Sequence, residues 1–157
     1  MESPSLLLRG MHNVSLDGKG RFAIPAKYRE PLRECCASQL VITVDRDGCL
    51  LIYPLPDWQR IETRIMGLSA FDPKVRAIQR TLVGYASEVE MDSQGRLLLP
   101  GPLRTFARLD KQAVLMGQGN KFELWNEAVW AERQQGWFEE SALIGAELPD
   151  GLKNFSL

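Results

Sequence analysis

The 157-residue chain has a single histidine, His12, and only three cysteines, Cys35, Cys36 and Cys49, none of them in a Cys-x-x-Cys spacing. That count argues against a zinc-binding module and a disulfide framework, and it leaves reduced, partly buried thiols as the expectation. A lone His12 in a strand-like segment reads as a packed or surface residue rather than a catalytic base. No run approaches the roughly 20 apolar residues of a membrane span. The opening "MESPSLLLRG" offers only Leu6, Leu7 and Leu8 as an apolar core with no basic residue before it, which is not an export signal, so a cytosolic location is expected. A strong charge of either sign is also missing. The net charge of −1 and pI near 5.9 lack the basic footprint usual for a nucleic-acid binder.

The charge that is present is unevenly placed. From residue 137 onward, Glu139, Glu140, Glu147 and Asp150 face only Lys153, leaving −3 there and +2 on the rest of the chain. The 45% hydrophobic content suffices for a core that needs no metal or disulfide. The most informative feature is a repeat. "SLDGKGRFAIP" (15–25) returns as "EMDSQGRLLLP" (90–100), with Asp17 and Arg21 recurring as Asp92 and Arg96 at a spacing of 75. "AKYREPLREC" then matches "GPLRTFARL", and "LVITV", a turn and "CLLIY" match "AVLMG", a turn and "KFELW". Two homologous halves are the simplest account.

In each half, alternation at Val14, Leu16, Phe22 and Ile24, and at Val89, Met91, Leu97 and Leu99, predicts a hairpin tipped by Asp-x-x-Gly-Arg. Pro25 and Pro100 should end strands and open helices, and Pro31 should keep the first helix short or kinked. Trp58, Ile61 and Ile65, then an Asp72-Pro73 cap before Val75, Ile78 and Leu82, predict a helical pair whose apolar stripes serve as core or subunit contacts. The expected organisation is a first repeat at 10–55, linking helices at 56–84, a second repeat at 85–128, and a C-terminal helix (about Glu127 to Glu139) and flexible tail within 129–157. A short hairpin cannot bury its apolar face alone, so interleaving of the halves about a pseudo-twofold axis is expected to close a small barrel.

At each tip Asp can fold onto backbone N–H groups while Gly supplies a positive φ, which makes Asp17, Gly20, Asp92 and Gly95 turn-shaping. Arg can then project a planar fork suited to phosphate or a guanine edge. The plainer alternative is that each Arg only pairs with the Asp four residues before it. A catalytic reading, with Asp17 and Asp92 sharing a proton, is disfavoured because Arg would lower both carboxyl pKa values and the Asp-Thr/Ser-Gly run is missing. A scaffold without nucleic-acid activity is a further alternative.

"LDGKGRFAIPAKYRE", "MDSQGRLLLPGPLR", "LLIYPLPDW", "LVGYASEVEMD" and "GNKFELW" together resemble the MraZ family of bacterial regulators, which have two SpoVT-AbrB type domains. The resemblance implies a mixed α+β, β-rich fold, a swapped-hairpin AbrB-like double-repeat barrel with short flanking helices, and assembly into a ring-like homo-oligomer. It further implies binding of double-stranded DNA at short direct repeats, repression of the division and cell wall gene cluster including its own gene, and nucleoid association. Carried over, the DNA-contacting residues are Lys19 and Arg21, with Arg96 as the second-half equivalent. The neighbouring cations Arg9, Lys27, Arg29 and Arg104 complete the candidate set. No enzyme activity, metal, cofactor or membrane partner is implied. Gln94 stands where Lys19 would repeat, so the second tip is expected to be the weaker one electrostatically.

Overall fold

The computed structural model describes residues 6–143 and Gly151, so the expected flexible tail lies outside the described residues. Residues up to Asn126 form one compact unit, and a second begins at Glu127. The first unit contains strands β1 (Leu8–Ser15), β2 (Arg21–Ala23), β3 (Gln39–Val44), β4 (Leu50–Pro54), β5 (Ser87–Glu90), β6 (Arg96–Leu98), β7 (Gln112–Gly119) and β8 (Phe122–Asn126). Its helices are α1 (Ala26–Cys36), α2 (Leu55–Met66), α3 (Pro73–Ile78), which runs into a π-helical turn at Gln79–Val83, and α4 (Gly101–Phe106). The second unit contains α5 (Glu127–Leu143).

The six-stranded sheet has the order β1-β7-β8-β4-β3-β5, and β2 and β6 form a separate two-stranded ribbon. Exchanging each strand for its repeat counterpart (β1 with β5, β2 with β6, β3 with β7, β4 with β8) reproduces the same order read backwards. The two halves are therefore interleaved about a pseudo-twofold relation. The first strand of each half pairs with the third strand of the other, Leu8–Ser15 against Gln112–Gly119 and Gln39–Ile42 against Ser87–Glu90. This gives the expected fold class and corrects one local expectation. The strands on either side of each tip do not form a ladder with each other, because β2 takes β6 of the other half as its partner (Arg21↔Leu98, Phe22↔Leu97, Ala23↔Arg96). Burial decides the matter. Phe22 and Leu97 are almost wholly buried on the inner face of this ribbon, and a lone hairpin has no second layer in which to place them.

The ribbon's inner face joins a single core containing Ile24, Leu32, Leu40, Ile42, Leu50, Ile52, Leu99, Leu103, Leu115, Phe122 and Leu124. β3 and β4 are buried on both faces, which explains why "LVITV" and "LLIY" read as continuous apolar runs. Leu40, Ile42 and Val44 enter the main core, whereas Thr43 donates to the Leu82 carbonyl at 2.7 Å and Tyr53 packs on Trp58 of α2 with ring centroids 5.7 Å apart. Pro25 and Pro100 each cap a helix N-terminus, and Asp72 caps α3 by accepting from Lys74 N–H at 2.8 Å. α1 runs eleven residues with Pro31 inside it, so the proline does not keep the helix short. Tyr28, Leu32 and Cys36, one helical turn apart, anchor it to the core on both sides of the proline and offset the missing N–H bond.

Candidate nucleic-acid interface

The two tips are built alike, bond for bond. Asp17 N–H donates to Arg21 O at 2.9 Å and Gly20 N–H to Asp17 O at 3.0 Å, and the matching bonds from Asp92 and Gly95 are both 2.9 Å. The Asp17 carboxylate accepts from the N–H groups of Lys19 and Arg21 on Oδ1, both at 2.9 Å, and from Arg21 Nε on Oδ2 at 2.8 Å. Asp92 does the same with Gln94 N–H, Arg96 N–H and Arg96 Nε at 2.9, 2.8 and 2.9 Å. The backbone N–H of Arg21 foremost, helped by its guanidinium and by Lys19 N–H, holds the Asp17 carboxyl down at about 2. Asp92 is lowered in the same direction, with the Arg96 N–H as the leading cause. Both carboxylates are thus ionised and committed to their own turns, the opposite of a proton-sharing pair.

The Asp–Arg pairing foreseen as the plainer alternative does form. It uses only Nε, however, and the η nitrogens of Arg21 and Arg96 have no hydrogen-bond partner among the described residues. Each pair therefore fixes the arginine's direction while leaving its fork open. Alternation along the ribbon puts Phe22 and Leu97 inside and Arg21, Ala23, Arg96 and Leu98 on the outer face. In this register Arg21 and Arg96 are diagonal neighbours, a relation that spans about 7–8 Å.

The remaining predicted cations separate into two groups. Gly20 (φ +84°) and Gly95 (φ +78°) are each covered by an arginine of the other half. A Cβ on Gly20 would meet the guanidinium of Arg104, and one on Gly95 that of Arg29. Arg29 also donates through Nε to the Ile24 carbonyl at 2.7 Å. Arg29 and Arg104 are themselves 75 residues apart, so the crossing is reciprocal. Arg9 and Lys27 lie elsewhere, near Gly10 (φ +108°): Tyr28 Oη donates to the Arg9 carbonyl, and Lys27 Nζ sits 4.9 Å from the Tyr28 ring centroid. At about 3.3 Å per residue, Gly10 is roughly 16 Å along β1 from Ser15, where the first tip begins. His12 packs here too, with Nε2 2.9 Å from Tyr28 Oη, and burial foremost, then the charge of Lys27, lowers its pKa.

Two features were missed in the sequence. One is Arg33 of α1, which reaches the second tip and donates from Nη2 to the Ser93 carbonyl at 3.3 Å, bringing a cation there that the loop sequence did not announce. The other is a likeness: the expected turn at Asp45-Arg46-Asp47-Gly48 has the same backbone form as the tips, with Asp45 N–H to Cys49 O and Gly48 N–H to Asp45 O both at 3.0 Å. Here Cys49 replaces the arginine, and nothing lies within 4 Å of a Cβ on Gly48. Asp45, Cys49 and Glu123 approach one another there, with ligand atoms within 4.8 Å, while burial foremost and then the Glu123 and Asp45 charges push the Cys49 thiol up, keeping it protonated at neutral pH. Cys35, Cys36 and Cys49 are all free thiols.

The family model for MraZ protein matches residues 7–81 and again residues 82–143. A relative from Thioalkalivibrio sulfidiphilus is 57% identical over 134 residues, 85% of this chain and 89% of its own. One from Methylococcus capsulatus is 52% identical over 141 residues, 90% and 93% of the two chains. The chain belongs to the MraZ family. Both MraZ relatives bear the name transcriptional regulator, and the non-enzymatic reading follows from MraZ membership. Among the described residues, no helix is long and apolar enough to cross a membrane.

Proposed function

We propose that this protein is a DNA-binding transcriptional regulator that reads DNA with the outer face of the β2–β6 ribbon. The observation that carries the reading is the outward pair Arg21 and Arg96, each oriented through Nε by its own aspartate and open at its η nitrogens. A two-stranded ribbon fits the major groove, where an arginine fork binds guanine O6 and N7 and small apolar groups meet the thymine methyl. Ala23 and Leu98 (54% exposed) supply such groups between the arginines. Lys19, Arg29 and Arg104 flank the ribbon as phosphate contacts, and Arg9 and Lys27 serve DNA that extends past the tips.

One ribbon makes few contacts, so useful affinity comes from several copies. The protein assembles into a ring-like homo-oligomer whose ribbons engage successive short direct repeats, each added contact being intramolecular. The exposed Met66, Leu68, Phe71, Ile78 and Tyr85 of the linking region supply apolar surface for that assembly, Phe71 being 97% exposed. Bound upstream of the division and cell wall gene cluster, including its own gene, the assembly represses transcription and travels with the nucleoid in the cytoplasm. In this scheme residues 10–55 and 85–128 are the two DNA-binding repeats, 56–84 the assembly segment, and 129–157 an accessory helix and acidic tail.

The test is footprinting on DNA upstream of the coding sequence, together with light scattering on the purified protein. Protection at evenly spaced short repeats by a multi-subunit species is expected. A monomer that binds one repeat as tightly as three would overturn the multivalent scheme.

A further inference from the structure

The two tips gather their flanking cations by different routes. The first has Lys19 and Arg21 in its own loop and Arg104 over Gly20 from the other half. The second has Arg96 in its loop, Gln94 in place of the lysine, and Arg29 over Gly95 from the other half. α1 carries Arg29 and Arg33 four residues apart, on one helical face, so the helix that places Arg29 on Gly95 also brings Arg33 to Ser93 O. Beside the first tip the other half instead brings Lys111, which shares a cleft with Asp17 and Gly18 and whose carbonyl accepts from Leu16 N–H at 2.8 Å. The repeat counterpart of Arg33 is Arg108, which lies beyond the end of α4 at φ +55°.

We infer that Arg33 is a DNA-phosphate contact of the second tip, supplying from the other half the positive charge that Gln94 withholds. This rests on the reading of the tips as the DNA-contacting surface. The Arg33 side chain is 39% exposed and its other partner, Glu30, is 68% exposed at 3.4 Å, a surface ion pair of the kind that contributes little and yields to a stronger anion. The bond from Nη2 to Ser93 O holds the guanidinium against the loop, so charge is presented at the tip itself and not on a freely moving side chain. A phosphate beside Ser93 would be met by Arg33 on one side and Arg96 on the other, a paired arrangement that the first tip achieves with Lys19 and Arg21.

The experiment measures binding of the full-length protein to a duplex spanning the region upstream of its own coding sequence, as a function of salt, with melting temperature and oligomer mass recorded for each variant. Arg33→Ala is expected to melt and assemble like the parent, and to lower the salt slope by about one for each second tip engaged, as Lys19→Ala does for each first tip. Arg33→Lys should keep most of the slope. Adding Gln94→Lys to Arg33→Ala should restore it, because the charge returns through the loop itself. An unchanged slope for Arg33→Ala overturns the inference, as does a loss that Gln94→Lys fails to recover. The Arg21→Ala, Arg96→Ala double variant separates the two levels. If it binds like the parent, the tip reading itself has failed, whereas if it loses binding while Arg33→Ala does not, only the role of Arg33 has failed.

Discussion

The turn at 17–21 and the turn at 45–49 share a backbone and the aspartate's bond to the N–H two residues on, and differ in the fifth residue and in what covers the glycine. Both close with the Asp N–H on the fifth residue's carbonyl and the Gly N–H on the Asp carbonyl, and both need a positive φ at glycine. Only the first is covered by an arginine from the opposite half, and only the first ends in an arginine held by its aspartate. The turn at 92–96 repeats the first in every bond. An Asp-x-x-Gly turn is therefore a generic way for this chain to reverse direction. The arginine at the fifth position and the crossing arginine above the glycine are the additions that need a reason beyond folding.

The strongest way to break this comparison is to remove both fifth-position arginines. Arg21→Ala with Arg96→Ala should leave a folded, assembled protein that has lost nearly all specific affinity for the upstream DNA, each single change costing on the order of 1–3 kcal/mol if a base contact is lost. Gel-shift titration beside a thermal melt checks it, and retained affinity would make the tips mere turns.

Alanine at the three glycines comes next. Gly20→Ala, Gly95→Ala and Gly48→Ala each force a side chain into the left-handed region, at roughly 1–2 kcal/mol apiece. The first two must also displace Arg104 or Arg29, so they should melt lower than Gly48→Ala and weaken DNA binding, which Gly48→Ala should leave alone. Equal losses at all three would mean that the crossing arginines add nothing.

Acid sharpens the comparison further. The folded Asp17 carboxyl titrates at about 2 against 3.8 ordinarily, so the folded state binds fewer protons there than the unfolded one. The stability this confers is fully present above about pH 4 and is lost as pH falls from there towards 2, and Asp92 acts in the same direction. Melting curves across that window should show a fall that is smaller in an Asp17→Asn, Asp92→Asn double variant. The smallest effect belongs to Asp45→Ala. It should lower the melting temperature modestly through the lost bond to Asp47 N–H and leave DNA affinity unchanged.

Much of this architecture was legible in the chain because the repeat is long and its residues have strong local meaning. Asp and Gly at fixed positions specify a turn through short-range bonds, a proline closing an alternating apolar run ends that strand, and Asp72-Pro73 announces a helix start, so Asp17, Gly20, Asp92, Gly95, Pro25, Pro100 and α3 were legible in the chain. Pro31 was a poor guide to the length of α1 because the cost of a lost helical bond is local, whereas the burial of Tyr28, Leu32 and Cys36 that offsets it is tertiary. The turn at Asp45-Arg46-Asp47-Gly48 was legible between its two strands, but its kinship with the tips was not, because Cys49 stands where the tips carry arginine.

What the sequence determined alone is the pair of tips and the need for a partner to cover each apolar ribbon face, since alternation and turn chemistry act over a few residues. Which strand would be that partner was a tertiary decision. β2 could have paired with β1 across its own tip, but only β6 of the other half lets Phe22 and Leu97 enter one shared core. That exchange also carries α1 over the second tip and α4 over the first, and so decides which arginine sits on which glycine. Contacts between residues 29 and 95, or 33 and 93, depend on the packing of two distant segments and leave no periodic trace in the chain. The charge around each tip is for this reason a property of the folded pair and not of either repeat.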